Sequence, residues 1–293
     1  MLADVSRSVA ATAISDGQIT IDGKIIDTRS HRVATDQVIV IADTVGQEPP
    51  PLLADPSASV NVLYADDDVV VVDKKSGEIV HPGAGNETGT MVQGLLASYP
   101  EMIDVGEPDR PGVVHRLDKG TTGVLMFARS ELAYDSLVGQ LHDRTVRRRY
   151  LTFAWGEPEA SDGVIDAPIG RAVRDPTRLV VRDDGKPART RYRVEATWAD
   201  PAVALLSCEL ETGRTHQIRV HLEAIGHPVV GDTRYSGGRA GIDLGRPALH
   251  AAELGFEHPV SGEWLTFVSP LPADMRGILV ELGDPAWGTV DHV

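Results

Sequence analysis

Pro111-Gly112-Val113-Val114-His115-Arg116-Leu117-Asp118-Lys119-Gly120-Thr121-Thr122-Gly123-Val124-Leu125-Met126-Phe127-Ala128-Arg129 is the stretch around which the rest of the chain is organised. Apolar residues flank a dense polar centre. Val113 and Val114 are expected to form a short buried strand, and Val124 to Ala128 a second. Lys119 to Gly123 lies between them as a turn or loop, with glycines available for backbone angles other residues avoid. This places a carboxylate, Asp118, at a strand end beside a guanidinium, Arg116, and an imidazole, His115. Loops carried by rigid strands commonly hold reacting groups. A hairpin with an ordinary Arg–Asp ion pair is the plainer alternative.

Outward from this centre, Glu131 to His142 has the spacing of an amphipathic helix, with Leu132, Leu137, Val138 and Leu141 on its apolar stripe. Arg147-Arg148-Arg149-Tyr150 then opens a β-run, Leu151 to Gly156. A basic cluster is usually a solvated face. A basic cluster with an aromatic directly behind it also suits holding a phosphate and stacking a base. Further on, Gly185 to Val194 begins a strand whose Arg191 and Arg193 mark one wet face. A dense polar segment follows, Glu211-Thr212-Gly213-Arg214-Thr215-His216-Gln217-Ile218-Arg219-Val220-His221-Leu222, and then Gly226-His227-Pro228-Val229-Val230-Gly231-Asp232. Leu249 to Leu254 and His258-Pro259 complete the series.

HRLDKGTTG at 115–123 resembles the central motif of the RluA/RluD-type RNA pseudouridine synthases, HRLDxxTSG, with Thr122 in place of serine. TGRTHQIRVH at 212–221 and GHPVVGD at 226–232 match two further motifs of that family in the same order. Lys74-Lys75-Ser76-Gly77 with His81-Pro82 resembles the opening of its catalytic domain, Lys75 standing where proline is usual. The resemblance runs over about residues 60 to 272. It implies that Asp118 is the catalytic aspartate, that Tyr150 packs against the target uracil, and that Arg116 fills the space of a flipped-out base. It implies an arginine paired with Asp118. Arg219 is the first choice and Arg214 the second. His115, Thr121, Arg148 and Arg214 are expected among the substrate-binding residues. The implied fold is α+β, a bent, largely antiparallel or mixed central sheet with flanking helices and the cleft across its middle.

Before this domain, residues 5–15 suit a short helix stopped at Asp16-Gly17. Gln18 to Ile21 and Lys24 to Ile26 suit a hairpin around an Asp22-Gly23 type I′ turn, and Val38 to Ile41 a third strand. This order resembles part of an S4-type RNA-binding module that lacks an earlier helix. The expected organisation is an S4-like module over 1–46, a proline-rich linker over 47–59, a catalytic domain over 60–283 and a tail over 284–293. Consecutive prolines at 49–51 stiffen the linker and cannot join a central strand.

The chain has 293 residues, 42% hydrophobic and 24% charged, as in ordinary globular proteins. No apolar run approaches the roughly 20 residues that span a bilayer. Its single cysteine, Cys208, lies in a strand-like run and fits a core thiol in a reducing cytoplasm. Net charge is −15, which argues against non-specific nucleic-acid affinity. The charge is uneven: eight basic residues stand against four acidic from Arg110 to Tyr150, and one against seven from His250 onward. A basic site on an acidic body fits a selective RNA enzyme.

Converting uridine to pseudouridine breaks the glycosidic bond, rotates the uracil and joins C5 to the ribose. No redox change or added group is involved, so no cofactor is expected, and the glycines form neither a P-loop nor a dinucleotide fingerprint. His115, His216, His221 and His250 match no metal-binding spacing such as HExxH, so no metal is expected. The expected partner is structured RNA, 23S rRNA before tRNA, for a cytoplasmic monomer. A catalytically inactive RNA-binding or ribosome-assembly protein is the non-enzyme alternative. Retention of Asp118, Tyr150 and Arg219 together argues against it.

Overall fold

Val69-Val70-Val71-Val72 shows how the catalytic part is built, because all four residues are fully buried although a strand points them alternately to opposite faces. Val70 and Val72 belong to one apolar core with Leu125, Phe127, Leu151 and Phe153. Val69 and Val71 belong to a second core with Val124, Met126, Leu254 and Phe256. Such a run needs a sheet covered on both sides.

The structure, a computed structural model, describes the chain except residues 1–6, 16, 27, 29, 43–44, 46–51, 84–85, 176, 240 and 291–293. The chain divides into two compact units, 1–51 and 52–293. In the first, helix α1 (Arg7–Ser15) precedes strands β1 (Ile19–Ile21), β2 (Lys24–Ile25) and β3 (Ile39–Ile41), which pair antiparallel in the order β2-β1-β3. Asp22 and Gly23 both have positive φ, 51° and 79°, as a type I′ turn requires. Asp22 also accepts the Val38 N–H at 2.9 Å, tying the turn to the third strand.

The second unit carries, in chain order, β4 (Val62–Ala65), β5 (Val69–Lys74), α2 (Met91–Ser98), β6 (Thr122–Ala128), α3 (Glu131–Asp143), β7 (Arg147–Trp155), β8 (Asp162–Asp166), β9 (Ile169–Arg171), β10 (Leu179–Val181), β11 (Arg189–Ala199), β12 (Ala202–Leu210), α4 (Gln217–Ala224), β13 (Leu249–Glu257), β14 (Trp264–Val268), α5 (Ala273–Leu282) and β15 (Trp287–Gly288). Ten strands form one mixed sheet in the order β15-β11-β12-β7-β13-β6-β5-β4, with β14 on β13 and β8 on β11. β9 and β10 form a separate hairpin. The only parallel pairing within the sheet, among the described residues, is β13 with β6. Register shifts between Val194 and Ala196 and between Ala251 and Glu253 mark bulges, which add local bend and twist. The fold is α+β.

Several local expectations differ from what forms. Val113 and Val114 make no strand; Val113 contributes one isolated bridge to Phe127. Asp118 therefore stands in an extended segment that enters a turn, closed by Thr121 N–H on Asp118 O at 3.0 Å. The buried face of α3 is Ala133, Leu137 and the half-buried Leu141, spaced by four, while Leu132 and Val138 point outward. The Gln47–Pro51 part of the expected linker lies outside the described residues. Its later part packs on α2: Asp55 N–H donates to Gln93 O, and Ala58 O approaches Gly94 so closely that a Cβ there would lie 2.1 Å away. Of the expected tail, Trp287 and Gly288 add an edge strand to β11.

Gly123 is demanded twice over. Its φ is +109°, and a Cβ would sit 2.1 Å from Ala251 O, where β6 runs against β13. Cys208 is fully buried in β12, and burial pushes its thiol up to about 12.

Candidate active site

Three segments converge on one cleft of about 390 Å³: the extended run ending at Asp118, the start of β7, and the loop and first turn of α4. A second cavity of similar volume adjoins it and shares His81, Arg116, Leu117, Asp118 and His216.

Arg219, inside α4, donates from Nη1 to Asp118 Oδ2 at 2.9 Å. The same guanidinium makes two bonds to Asp232, Nε to Oδ2 at 2.5 Å and Nη2 to Oδ1 at 3.0 Å. Asp232 is 1% exposed and Asp118 19%. One buried cation thus serves two carboxylates, with the more open one facing the cleft. Burial works to lower the Arg219 pKa, but the hydrogen bond to Asp232 and both carboxylate charges outweigh it and raise the value. The Tyr235 ring lies beneath Arg219, 4.9 Å from ring centre to guanidinium carbon. Arg214, the second choice for this pairing, is exposed and donates to Pro187 O at 3.1 Å. The choice between them is decided by the start of α4. Gln217, 2% exposed, knots the preceding loop by accepting from Thr212 Oγ1 and Arg214 N–H and donating to Arg189 O and Thr190 Oγ1.

The loop after Asp118 is held through its carbonyls. Lys74, 1% exposed, donates to Lys75 O, Lys119 O and Thr121 O at 2.8–3.1 Å. Burial pulls its pKa down to about 8, against the raising effect of Glu78 and Asp118. Arg246, anchored on Asp274, takes Gly120 O at 3.0 Å. Two buried cations therefore fix the backbone that presents Asp118, the support a preorganised site needs.

Tyr150 lines the same cleft and is 6% exposed; burial raises its pKa, the Asp118 charge adds to this, and Arg148 opposes it. Arg116 is exposed, lines both cavities, and makes no hydrogen bond or ion pair among the described residues. Thr121 lines the cleft with a buried side chain. His115 is tied into the cleft wall. It also lines the cleft, but Nε2 accepts the Met126 N–H at 3.2 Å, and burial with the Arg148 charge brings its pKa down to about 3. It is a neutral wall group, with that nitrogen committed to the protein. Arg148 is buried in the wall and donates from Nη2 to Leu210 O at 3.2 Å.

The other histidines are spread over separate hydrogen bonds: His216 Nδ1 with Tyr235 OH, His221 with Thr190 Oγ1 and Ala167 O, His250 with Thr122 Oγ1 and Ser269 O. His216 Nε2 stands 3.8 Å from Asp118 Oδ2, and burial lowers its pKa. Asp232, Lys74 and Tyr235 received no role from the sequence. Asp232 lay in a motif already quoted, and its charge within an apolar segment was the available signal.

Residues 68–224 match the sequence profile of the RNA pseudouridylate synthase family. The chain is 43% identical to the uncharacterized RNA pseudouridine synthase YlyB of Bacillus subtilis, over 95% of this chain and 90% of that protein. It is 42% identical to the ribosomal large subunit pseudouridine synthase D of Xanthomonas campestris, over 95% of this chain and 85% of that protein. Among solved structures it is similar to human RNA pseudouridylate synthase domain containing 4, with a TM-score of 0.59 and 27% identity, covering 76% of this chain and 92% of that one. With Asp118 and Arg219 paired in a cleft beside Tyr150, and with this agreement over most of its length, the chain belongs to the RNA pseudouridylate synthase family, enzymes that isomerise uridine in RNA.

Proposed function

We propose that this enzyme modifies specific uridines of large-subunit ribosomal RNA, with Asp118 as the group that attacks the ribose or takes its proton. The observation that carries the reading is the shared guanidinium: Arg219 holds Asp118 at the cleft while Asp232 holds Arg219. In the reaction the N1–C1′ bond breaks, the uracil turns, C5 bonds to C1′, and the proton on C5 is replaced by one on N1. Atoms balance with no added group. Tyr150 supplies an aromatic face for the turning uracil, and the unpaired Arg116 supplies a planar cation to occupy the vacated stack, which offsets an extrusion cost of about a few kcal/mol.

The rRNA assignment draws support from relatives that carry the large-subunit name. The amino-terminal unit, S4-like in element order, is assigned to RNA docking. The enzyme is assigned to the cytoplasm as a monomer; among the described residues no helix is long and apolar enough to cross a membrane. The test is incubation of the full chain with unmodified 23S, 16S and tRNA transcripts in EDTA, followed by pseudouridine mapping. Product in 23S transcript that disappears in Asp118→Asn supports the reading. Product in tRNA alone overturns the substrate assignment, and undiminished turnover by Asp118→Asn overturns the role of Asp118.

A further inference from the structure

We infer that Arg148 is a phosphate site, a guanidinium kept in the cleft wall to receive a backbone phosphate flanking the target uridine. The inference deepens the pseudouridine synthase reading of the cleft and rests on it. Three arginines are 7% exposed: Arg148, Arg219 and Arg246. Arg219 is paired with Asp118 and Asp232, and Arg246 with Asp274. Arg148 has no carboxylate partner among the described residues. Among the described residues its one hydrogen bond, from Nη2 to Leu210 O, leaves Nη1 unbonded and Nε buried without an acceptor. Burial draws its pKa below the usual arginine range, with Tyr150 acting in the opposite direction. A desolvated, unpaired cation is a costly arrangement unless an anion completes it.

Gly213 provides a second, independent observation. A Cβ there would lie 2.9 Å from Arg148 Nη1, yet Gly213 is not among the glycines with positive φ. Backbone conformation does not demand glycine at this position. What its missing side chain does is leave Nη1 open to the cleft that both residues line.

The anion follows from position. Arg148 and Tyr150 are two apart on β7 and so face the same side of the sheet. A nucleotide with its uracil against Tyr150 carries phosphates on both sides of its ribose, within one nucleotide of Arg148. The Nη1 group left open to the cleft suits a charge-assisted bond to a phosphate oxygen.

The test is filter binding of an unmodified large-subunit rRNA transcript across a potassium chloride series, for wild type, Arg148→Met, Arg148→Lys and Gly213→Ala, with melting of each free protein. Arg148→Met should weaken binding about tenfold or more and lower the slope of log affinity against log salt by about 0.7 to 0.9. Arg148→Lys should keep the slope. Gly213→Ala should fold, because only the end of a flexible side chain must yield, and should weaken binding with Arg148 still present. The free Arg148→Met protein should melt at or above the wild-type temperature, since an apolar chain replaces an unpaired cation. Weakened binding with an unchanged slope would mean a neutral acceptor such as a uracil carbonyl and overturn the proposal. A lower melting point with unchanged affinity would mean a structural arginine and overturn it equally. Absence of pseudouridine in that transcript with wild type would count against the substrate assignment instead, because the slopes are read without turnover.

Discussion

Replacing Asp232 by asparagine should damage this enzyme more through its stability than replacing Asp118 by asparagine, although Asp232 does not line the cleft. Asp232 is 1% exposed and gives Arg219 two short bonds, whereas Asp118 is 19% exposed and gives it one. Asparagine keeps the shape but turns one acceptor oxygen into an NH2 group facing a guanidinium N–H, so a bond and a charge are lost together. Removing one partner of a buried ion pair costs about 3–5 kcal/mol. Asp118 remains as a second counter-ion, so the lower figure, about 3 kcal/mol, applies. At about 2–4 °C per kcal/mol for a unit of this size, the melting temperature should fall by about 6–12 °C. Turnover should fall as well, by about a hundredfold, because a guanidinium released on one side no longer fixes Asp118 to within an ångström. Asp118→Asn should lower the melting temperature by less than half as much while removing at least about 99% of turnover. Calorimetry and single-turnover pseudouridine assays on the two variants decide it. Melting of Asp232→Asn within about 1 °C of wild type, or above Asp118→Asn, would refute the claim that Asp232 anchors the site.

Tyr150→Phe should be mild and Tyr150→Ala severe in kcat/KM, since the proposed task is an aromatic face; equal losses in the two variants would instead make the hydroxyl the working group. His115 should make the fold acid-sensitive: its folded pKa of about 3 lies below the unfolded value of about 6.5, so the unfolded chain binds the extra proton and stability is lost as pH falls through 6.5. Between pH 7.5 and 5.5 wild type should lose about 1 kcal/mol more than His115→Gln in urea unfolding, and parallel curves would contradict this. Gly123→Ala should yield little folded protein on expression, because the new methyl has no room against Ala251 O and φ is +109°; a melting temperature equal to wild type would show that β6 and β13 do not approach as described.

Much of the architecture was legible in the residues themselves. Val124–Ala128 announces a buried strand, Glu131 to His142 a helix, and Asp22-Gly23 its turn. These are local properties, set by side-chain period and backbone preference. The motif residues were legible too, in that Asp118, Tyr150, Arg148 and Arg219 do line one cleft. Which of them touch could not be read. Asp118 and Arg219 lie 101 positions apart, and Lys74 reaches its carbonyls across 45 and 47. Arg214 and Arg219 are five apart in one motif, and only the start of α4 at Gln217 turns Arg219 toward Asp118 while leaving Arg214 on Pro187 O. Likewise the three equally buried arginines are one residue type in the sequence. Their difference, two paired and one open, comes from which strands and loops lie beside them, and that adjacency is a property of the assembled sheet.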